Sequence, residues 1–182
     1  MKSLFTFLII CAIFISCNSK NEKRDFVDNE TTTYINTHKL HGIIFKPNHQ
    51  VVFKSPDDTM SVLDFVGEPH NIGWIPNREI VFSFNNAFIK YWEKAKTDSL
   101  AELNNLTPIL WKTIKPMEKQ VIGFVDTSGQ KKLWVNIGNF DEGTPPEVDW
   151  KKEPIIVNDG GPYSYIVKYD VAKDSIYSLT SY

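Results

Sequence analysis

Pro76-Asn77-Arg78-Glu79-Ile80-Val81-Phe82-Ser83-Phe84-Asn85-Asn86-Ala87-Phe88-Ile89-Lys90-Tyr91-Trp92-Glu93-Lys94-Ala95-Lys96 carries the change of hydrophobic period on which the fold turns. Ile80, Phe84, Ala87, Phe88, Tyr91 and Ala95 fall on one side of a helix, with Val81 and Trp92 on its flank. Asn77 suits the cap. Glu79 meets the positive end of the helix dipole, and Lys94 and Lys96 meet the negative end. Glu79 to Phe84 also alternates and is rich in aromatics, so a strand before a shorter helix capped by Asn86 is the competing pattern; the longer helix is preferred. Phe82 and Ile89 then project away from the main face, as a second contact with the domain or an exposed apolar pair, with partial burial expected.

On the N-terminal side, Leu40 to Lys46 and Gln50 to Ser55 read as a hairpin turning at Pro47-Asn48-His49, and Met60 to Val66 as a third strand. On the C-terminal side, Asp98 to Leu106 is helix-compatible until Pro108. Gln120 to Asp126 and Lys132 to Ile137 flank the turn Thr127-Ser128-Gly129-Gln130. Pro154 to Val157, Tyr163 to Tyr169 and Ser175 to Leu179 follow as strands, with turns at Asp159-Gly160-Gly161 and Ala172-Lys173-Asp174. The expected fold class is α+β: one long amphipathic helix packed on a curved antiparallel β-meander. Helix followed by meander resembles the cystatin-like architecture, which implies a fold and no activity.

The first seventeen residues belong to targeting. Lys2, an apolar run from Leu4 to Ile15 and Ser16 before Cys17 have the regions of a signal peptide, and the run falls short of the ~20 residues a membrane span needs. Phe14-Ile15-Ser16-Cys17 resembles the lipobox of bacterial lipoproteins, of the Bacteroidota type, with Phe where Leu is usual. That resemblance implies cleavage before Cys17, which becomes the acylated first residue. The chain's two cysteines are Cys11, inside the apolar run, and Cys17. A mature domain without other thiols has no disulfide, thiolate metal site or Cys nucleophile, and its stability rests on a hydrophobic core. The expected organisation is a leader over 1–16, a flexible polar tether over 17–33 and one globular domain over 34–182. The net charge of −2 becomes −3 once Lys2 leaves with the leader, and no basic stripe points to nucleic acid.

Pro76-Asn77-Arg78-Glu79, Lys119-Gln120-Val121-Ile122-Gly123-Phe124, Trp134-Val135-Asn136, Val157 to Tyr163 and Lys168-Tyr169-Asp170 are similar to blocks of small bacterial lipoproteins of an uncharacterised family. No activity travels with that resemblance.

Chemistry-bearing residues are scattered. Asp159-Gly160-Gly161 has the composition of an anion nest, but flanking strands explain it as a turn, and the Gly-Lys-Ser/Thr of a P-loop does not follow. His38, His41 and His49 lie close in sequence, yet a three-residue step on a strand puts His38 and His41 on opposite faces, so no metal site is expected. His70 reads as a loop residue. Asp141, Glu142, Glu147 and Asp149 lack the ligand spacing of an EF-hand and read as a solvated loop. Trp74 and Trp150 stand in loop-like contexts and are the indoles expected at the surface, where they suit a protein hot spot or sugar stacking. With Cys17 as lipidation site, the candidate contact residues are Trp74, Trp150, Phe82 and Ile89; no catalytic residue, metal ligand or cofactor stands out. The expected function is a non-enzymatic cell-envelope domain, held by its N-terminal lipid at the periplasmic face or the cell surface and binding another macromolecule, first of all a protein. A glycan-binding surface lipoprotein and an envelope hydrolase built on scattered carboxylates are the alternatives.

Overall fold

The strand β7, Glu118–Val125, is buried along nearly its whole length on both faces, and the remaining elements are arranged around it. The computed structural model describes residues 26–37, 39–52, 59–67, 72–98, 117–140, 148–155 and 164–181. In chain order these form β1 (Phe26–Asp28), β2 (Thr32–Asn36), β3 (His41–Phe45), β4 (Gln50–Val52), β5 (Thr59–Ser61), α1 (Val62–Phe65) and β6 (Ile72–Trp74). They continue with α2 (Arg78–Asp98), β7, β8 (Lys131–Gly138), β9 (Ser164–Asp170) and β10 (Ser175–Ser181).

The expected α+β architecture, a long helix on an antiparallel, cystatin-like meander, is overturned. The main sheet has eight strands in the order β1-β2-β3-β7-β8-β9-β10, with β6 also on β7, and it is mixed. β7 to β10 do meander, but β3 runs parallel to β7, from Gly42 opposite Lys119 to Phe45 opposite Ile122. β6 then takes the same edge of β7 in the antiparallel sense, from Trp74 opposite Gly123 to Ile72 opposite Val125. Two separate segments thus share one flank of β7, and the chain between them carries β4, β5 and α1. The expected hairpin between Leu40–Lys46 and Gln50–Ser55 does not form: β3 pairs with β2 and β7, while β4 pairs with β5. Met60–Val66 splits into the end of β5 and the short helix α1, whose first turn is capped by Ser61.

The expected tether over 17–33 is also shortened, because Phe26–Asp28 is a strand of the sheet and Thr32 and Thr33 are buried in β2. Cys17 lies outside the described residues, as do the expected helix at 98–106 beyond Asp98, the acidic loop over 141–147 and the turn at 159–161.

The helix α2 forms over the preferred longer span and is capped as expected: the Ile80 N–H donates to Asn77 Oδ1 at 3.0 Å. Its buried stripe is rotated towards the expected flank, with Val81, Phe84, Phe88 and Trp92 at the centre and Ile80 and Tyr91 at the margin. The bulkiest ring explains the rotation. Seating Trp92 against Tyr165 (6.2 Å) and Phe84 against Tyr169 (5.7 Å) covers more apolar area than seating Ile80 would. This face of the sheet supplies Ile44, Val121, Leu133, Val135, Tyr165 and Val167. The other face supplies Ile43, Phe45, Ile122, Phe124, Trp134 and Ile166, covered by Val51, Val62, Phe140 and Trp150. Coverage on both faces is why β7 reads as an apolar run instead of a clean alternation.

Close approach at the junction of β6 and β7 needs glycine. A Cβ on Gly123 would stand 2.5 Å from the Trp74 carbonyl oxygen, a backbone atom that moves only with β6 itself. Gly123→Ala is therefore expected to destabilise the domain by about 1–3 kcal/mol, overpacking outweighing the smaller gain from a stiffer unfolded chain. Denaturant unfolding would register this as a lower midpoint with an unchanged slope.

Candidate functional site

The strand register gives the sheet two distinct ends. Phe26 is level with Ile35, Gly42 and Lys119, so the chain enters the sheet at the end that also carries His41 and Glu118. Ile72 is level with Val125 and Lys131, and the Asp126–Gln130 and Val171–Asp174 turns lie at the opposite end. The first is the proximal end and the second the distal end.

At the proximal end, alternation puts Tyr34, His41 and Glu118 on the sheet face that bears Ile43 and Ile122. Tyr34 Oη and His41 Nε2 are 2.5 Å apart. His41 Nδ1 stands 3.8 Å from Glu118 Oε1, within charge pairing and beyond a hydrogen bond, and the Phe140 N–H donates to the other Glu118 oxygen at 2.9 Å. Trp150 meets the His41 ring edge-on at 5.8 Å, and the Lys151 ammonium lies over the rings of both Tyr34 and Trp150. The phenol and the imidazole share a hydrogen bond, with the carboxylate near the far ring nitrogen, and the group can present hydrogen bonds. Among the described residues no nucleophile other than the phenol joins them.

The segment bearing Trp150 and Lys151 is held by two buried side chains of the sheet. Gln120 Nε2 donates to the carbonyls of Trp150 (2.8 Å) and Glu153 (2.7 Å), and Gln120 Oε1 accepts from the Ile155 N–H (2.8 Å). Asn136 Nδ2 donates to the Ile155 carbonyl and to Gln120 Oε1. This polar patch locks residues 150–155 across an otherwise apolar face. It also corrects the expectation for Trp150, which is 3% exposed and belongs to the core against Phe140.

Trp74 lies towards the distal end, half-buried. Its Nε1–H donates to the Phe124 carbonyl at 2.9 Å, and the Lys131 ammonium sits 4.8 Å above its ring. Ile72 is 71% exposed and Ile75 52%, so the segment presents apolar surface on a pinned backbone. The two tryptophans sit at different places, one of them inside, and do not make a paired sugar-stacking platform. Phe82 is partly buried beside Phe26 (6.2 Å), with the Arg78 guanidinium near both rings, and Ile89 is partly buried.

Several charges elsewhere are paired. Lys132 reaches Asp170 at 2.5 Å in a buried pair, with Asp126 at 3.5 Å. Lys132 holds the Asp170 carboxyl below its ordinary range, and hydrogen bonds from Ser128 and Gln130 hold that of Asp126 at about 2. Asp28 pairs with Lys46 and Asp149 with Lys152, so these carboxylates are committed to lysines instead of to a shared catalytic space. Lys119, buried on the helix side, donates to the Met117 carbonyl at 2.6 Å, and its burial pulls the ammonium down to about 8 against the opposing charge of Glu118. No group of three or more His, Cys, Asp or Glu side chains suited to a metal occurs among the described residues. His38 and His70 lie outside those residues.

No signal in the sequence marks Tyr34, Glu118, Gln120 and Lys151 as site residues. Alternation along His41, Ile43 and Phe45 places the imidazole on one face, but its neighbours come from strands brought together across the chain. No family model, curated protein or solved structure matches the chain, so its chemistry is argued from these residues.

Removing the Gln120 amide while keeping its bulk, as in Gln120→Met, strands three backbone groups of residues 150–155. The expected cost is about 2–4 kcal/mol, with a red shift of tryptophan emission as Trp150 meets water. A second expectation concerns acid. His49 is buried against Phe45 with neither ring nitrogen hydrogen-bonded among the described residues, and burial lowers its pKa from the ordinary 6.5. As the pH falls below 6.5, the unfolded chain takes up the proton first. Stability is then complete above pH ~6.5 and falls as the pH drops towards the folded value, before the carboxylates titrate. Urea midpoints across that range should fall in the wild type and stay flatter in His49→Leu.

Proposed function

We propose that this protein is a lipid-anchored cell-envelope domain without enzymatic activity that binds another macromolecule, a protein, at its distal end. The anchor rests on Phe14-Ile15-Ser16-Cys17 and on the absence of any other cysteine after the leader. The observation that carries the binding role is the surface around Ile72, Trp74 and Ile75: exposed aliphatic side chains beside a half-buried indole whose nitrogen is already satisfied. Such a surface is preorganised, so docking costs little ordering entropy. Lys131 over the indole and the Asp126–Gln130 turn at the same end give the polar rim that protein interfaces favour. A protein fits this surface better than a glycan, because the second indole that sugar stacking would use is in the core.

Affinity capture from cross-linked envelopes tests both halves. Wild-type protein should bring down a discrete partner in fixed proportion, and Ile72→Asp should lose it while keeping its fold. Recovery of the domain alone, or of the same proteins with Ile72→Asp, would refute the binding site. Cys17→Ala should release the protein from membranes or block its processing; unchanged membrane association with a correctly cut N-terminus counts against the anchor.

A further inference from the structure

We infer that the proximal end of the sheet lies against the lipid headgroups, with Val27, Tyr34, Lys39, His41 and Lys151 as the membrane-facing surface. The inference rests on the anchor reading above and adds an orientation to it.

Chain length argues for it first. The sheet starts at Phe26, nine positions after Cys17, although composition predicts a tether as far as residue 33. Nine residues span at most ~32 Å even fully extended, and any less extended path brings the domain closer. The register then says which part arrives first. β1 begins level with Ile35 and Lys119, so the chain from Cys17 joins the sheet at the end that holds the β2–β3 turn and the start of β7.

The chemistry of that end suits a headgroup layer. Val27, exposed on the edge strand, is the register partner of Tyr34, so an aliphatic side chain and a phenol stand side by side on one face. Lys39 is exposed in the β2–β3 turn, and Lys151 is exposed with its ammonium above the Tyr34 ring. Ammonium groups on apolar stems and aromatic rings with a polar tip are the side chains that settle at a membrane interface, apolar body inward and polar group among phosphates. His41 adds a second polar ring at this end, its Nε2 sharing a hydrogen bond with the Tyr34 hydroxyl, while Glu118 on the same face accepts from the Phe140 N–H. At the distal end the Asp126 and Asp170 carboxylates surround Lys132 instead.

The absence of a second thiol in the mature chain makes the orientation measurable. Acylated full-length protein carrying Val27→Cys or Thr127→Cys is labelled with a bimane maleimide, the Cys17 sulfur being consumed by its lipid. It is then reconstituted into phosphatidylethanolamine–phosphatidylglycerol vesicles containing a lipid with a nitroxide at headgroup depth. Val27 is level with Gln120, so about seven residues of strand, roughly 23 Å, separate the two labelled positions along the sheet. Quenching should be severalfold greater at position 27 than at 127, and Lys39→Glu with Lys151→Glu should remove most of the difference. Equal quenching, stronger quenching at 127, or indifference to the charge reversals would overturn the orientation while leaving the anchor intact. Protein with no acyl group on Cys17 by mass spectrometry would overturn the anchor reading and this inference with it.

Discussion

A buried amide of β7, Gln120, is the hub that ties residues 150–155 to the second face of this domain. Gln120 is inaccessible to solvent in β7, where the next neighbours of the same parity are Ile122 and Phe124. An amide there would cost several kcal/mol if its polar atoms were left unsatisfied. Its two N–H groups serve two carbonyls, and its oxygen serves the Ile155 N–H and Asn136. The segment it serves pairs with no strand among the described residues, so its backbone would in turn be unsatisfied over an apolar sheet. Each side solves the other's problem. The arrangement sets Trp150 against Phe140 and His41 and brings Lys151 over Tyr34. The proximal surface therefore exists because a glutamine sits where the pattern of its neighbours calls for an aliphatic residue.

Elements governed by local chemistry are legible in the sequence, and those governed by pairing across the chain are not. The helix announces itself through its period and the Asn77 cap. The β7–β8 hairpin does so through its turn, where Gly129 takes positive φ and Asp126 Oδ1 accepts three hydrogen bonds. In the β9–β10 turn, Asp174 takes positive φ and accepts from the Tyr169 hydroxyl. The parallel pairing of Gly42 with Lys119 has no such local mark, because the long helix and four shorter elements separate the two in the chain. Phe26 and Val27 look too isolated among polar residues to order a segment, yet a three-residue edge strand needs little more than an existing edge to pair with. Trp150 looks exposed because its sequence neighbours are charged. Its burial depends on a glutamine and an asparagine far away in the chain.

Sharing one flank of β7 between β3 and β6 has a further effect. The chain leaves the sheet after Phe45, builds β4, β5 and α1 over the second face, and returns at Ile72 to finish the flank it had left. The excursion buries Val51 and Val62 and packs His49 on Phe45, so a face that a simple meander would leave to solvent becomes core. Gly123 marks the return, since only a residue without a side chain lets the Trp74 carbonyl approach so closely. The helix covers the first face with an aromatic set, Phe84, Phe88 and Trp92, that reaches across to Tyr165 and Tyr169.

With both faces occupied by the described elements, the proposed recognition is left to the ends and edges of the sheet. The ends are chemically unlike. One gathers a phenol, an imidazole and exposed lysines around the point where the chain enters; the other sets Ile72 and Trp74 beside rigid, hydrogen-bonded turns. Among the described residues, the distal carboxylates Asp126 and Asp170 lie beside Lys132, and the proximal carboxylate Glu118 accepts from the Phe140 N–H. Compensated charge beside exposed apolar surface is the combination that the proposed protein contact would use. The two proposals, lipid at one end and protein at the other, rest on where the chain enters the sheet and on which side chains the register collects at each limit.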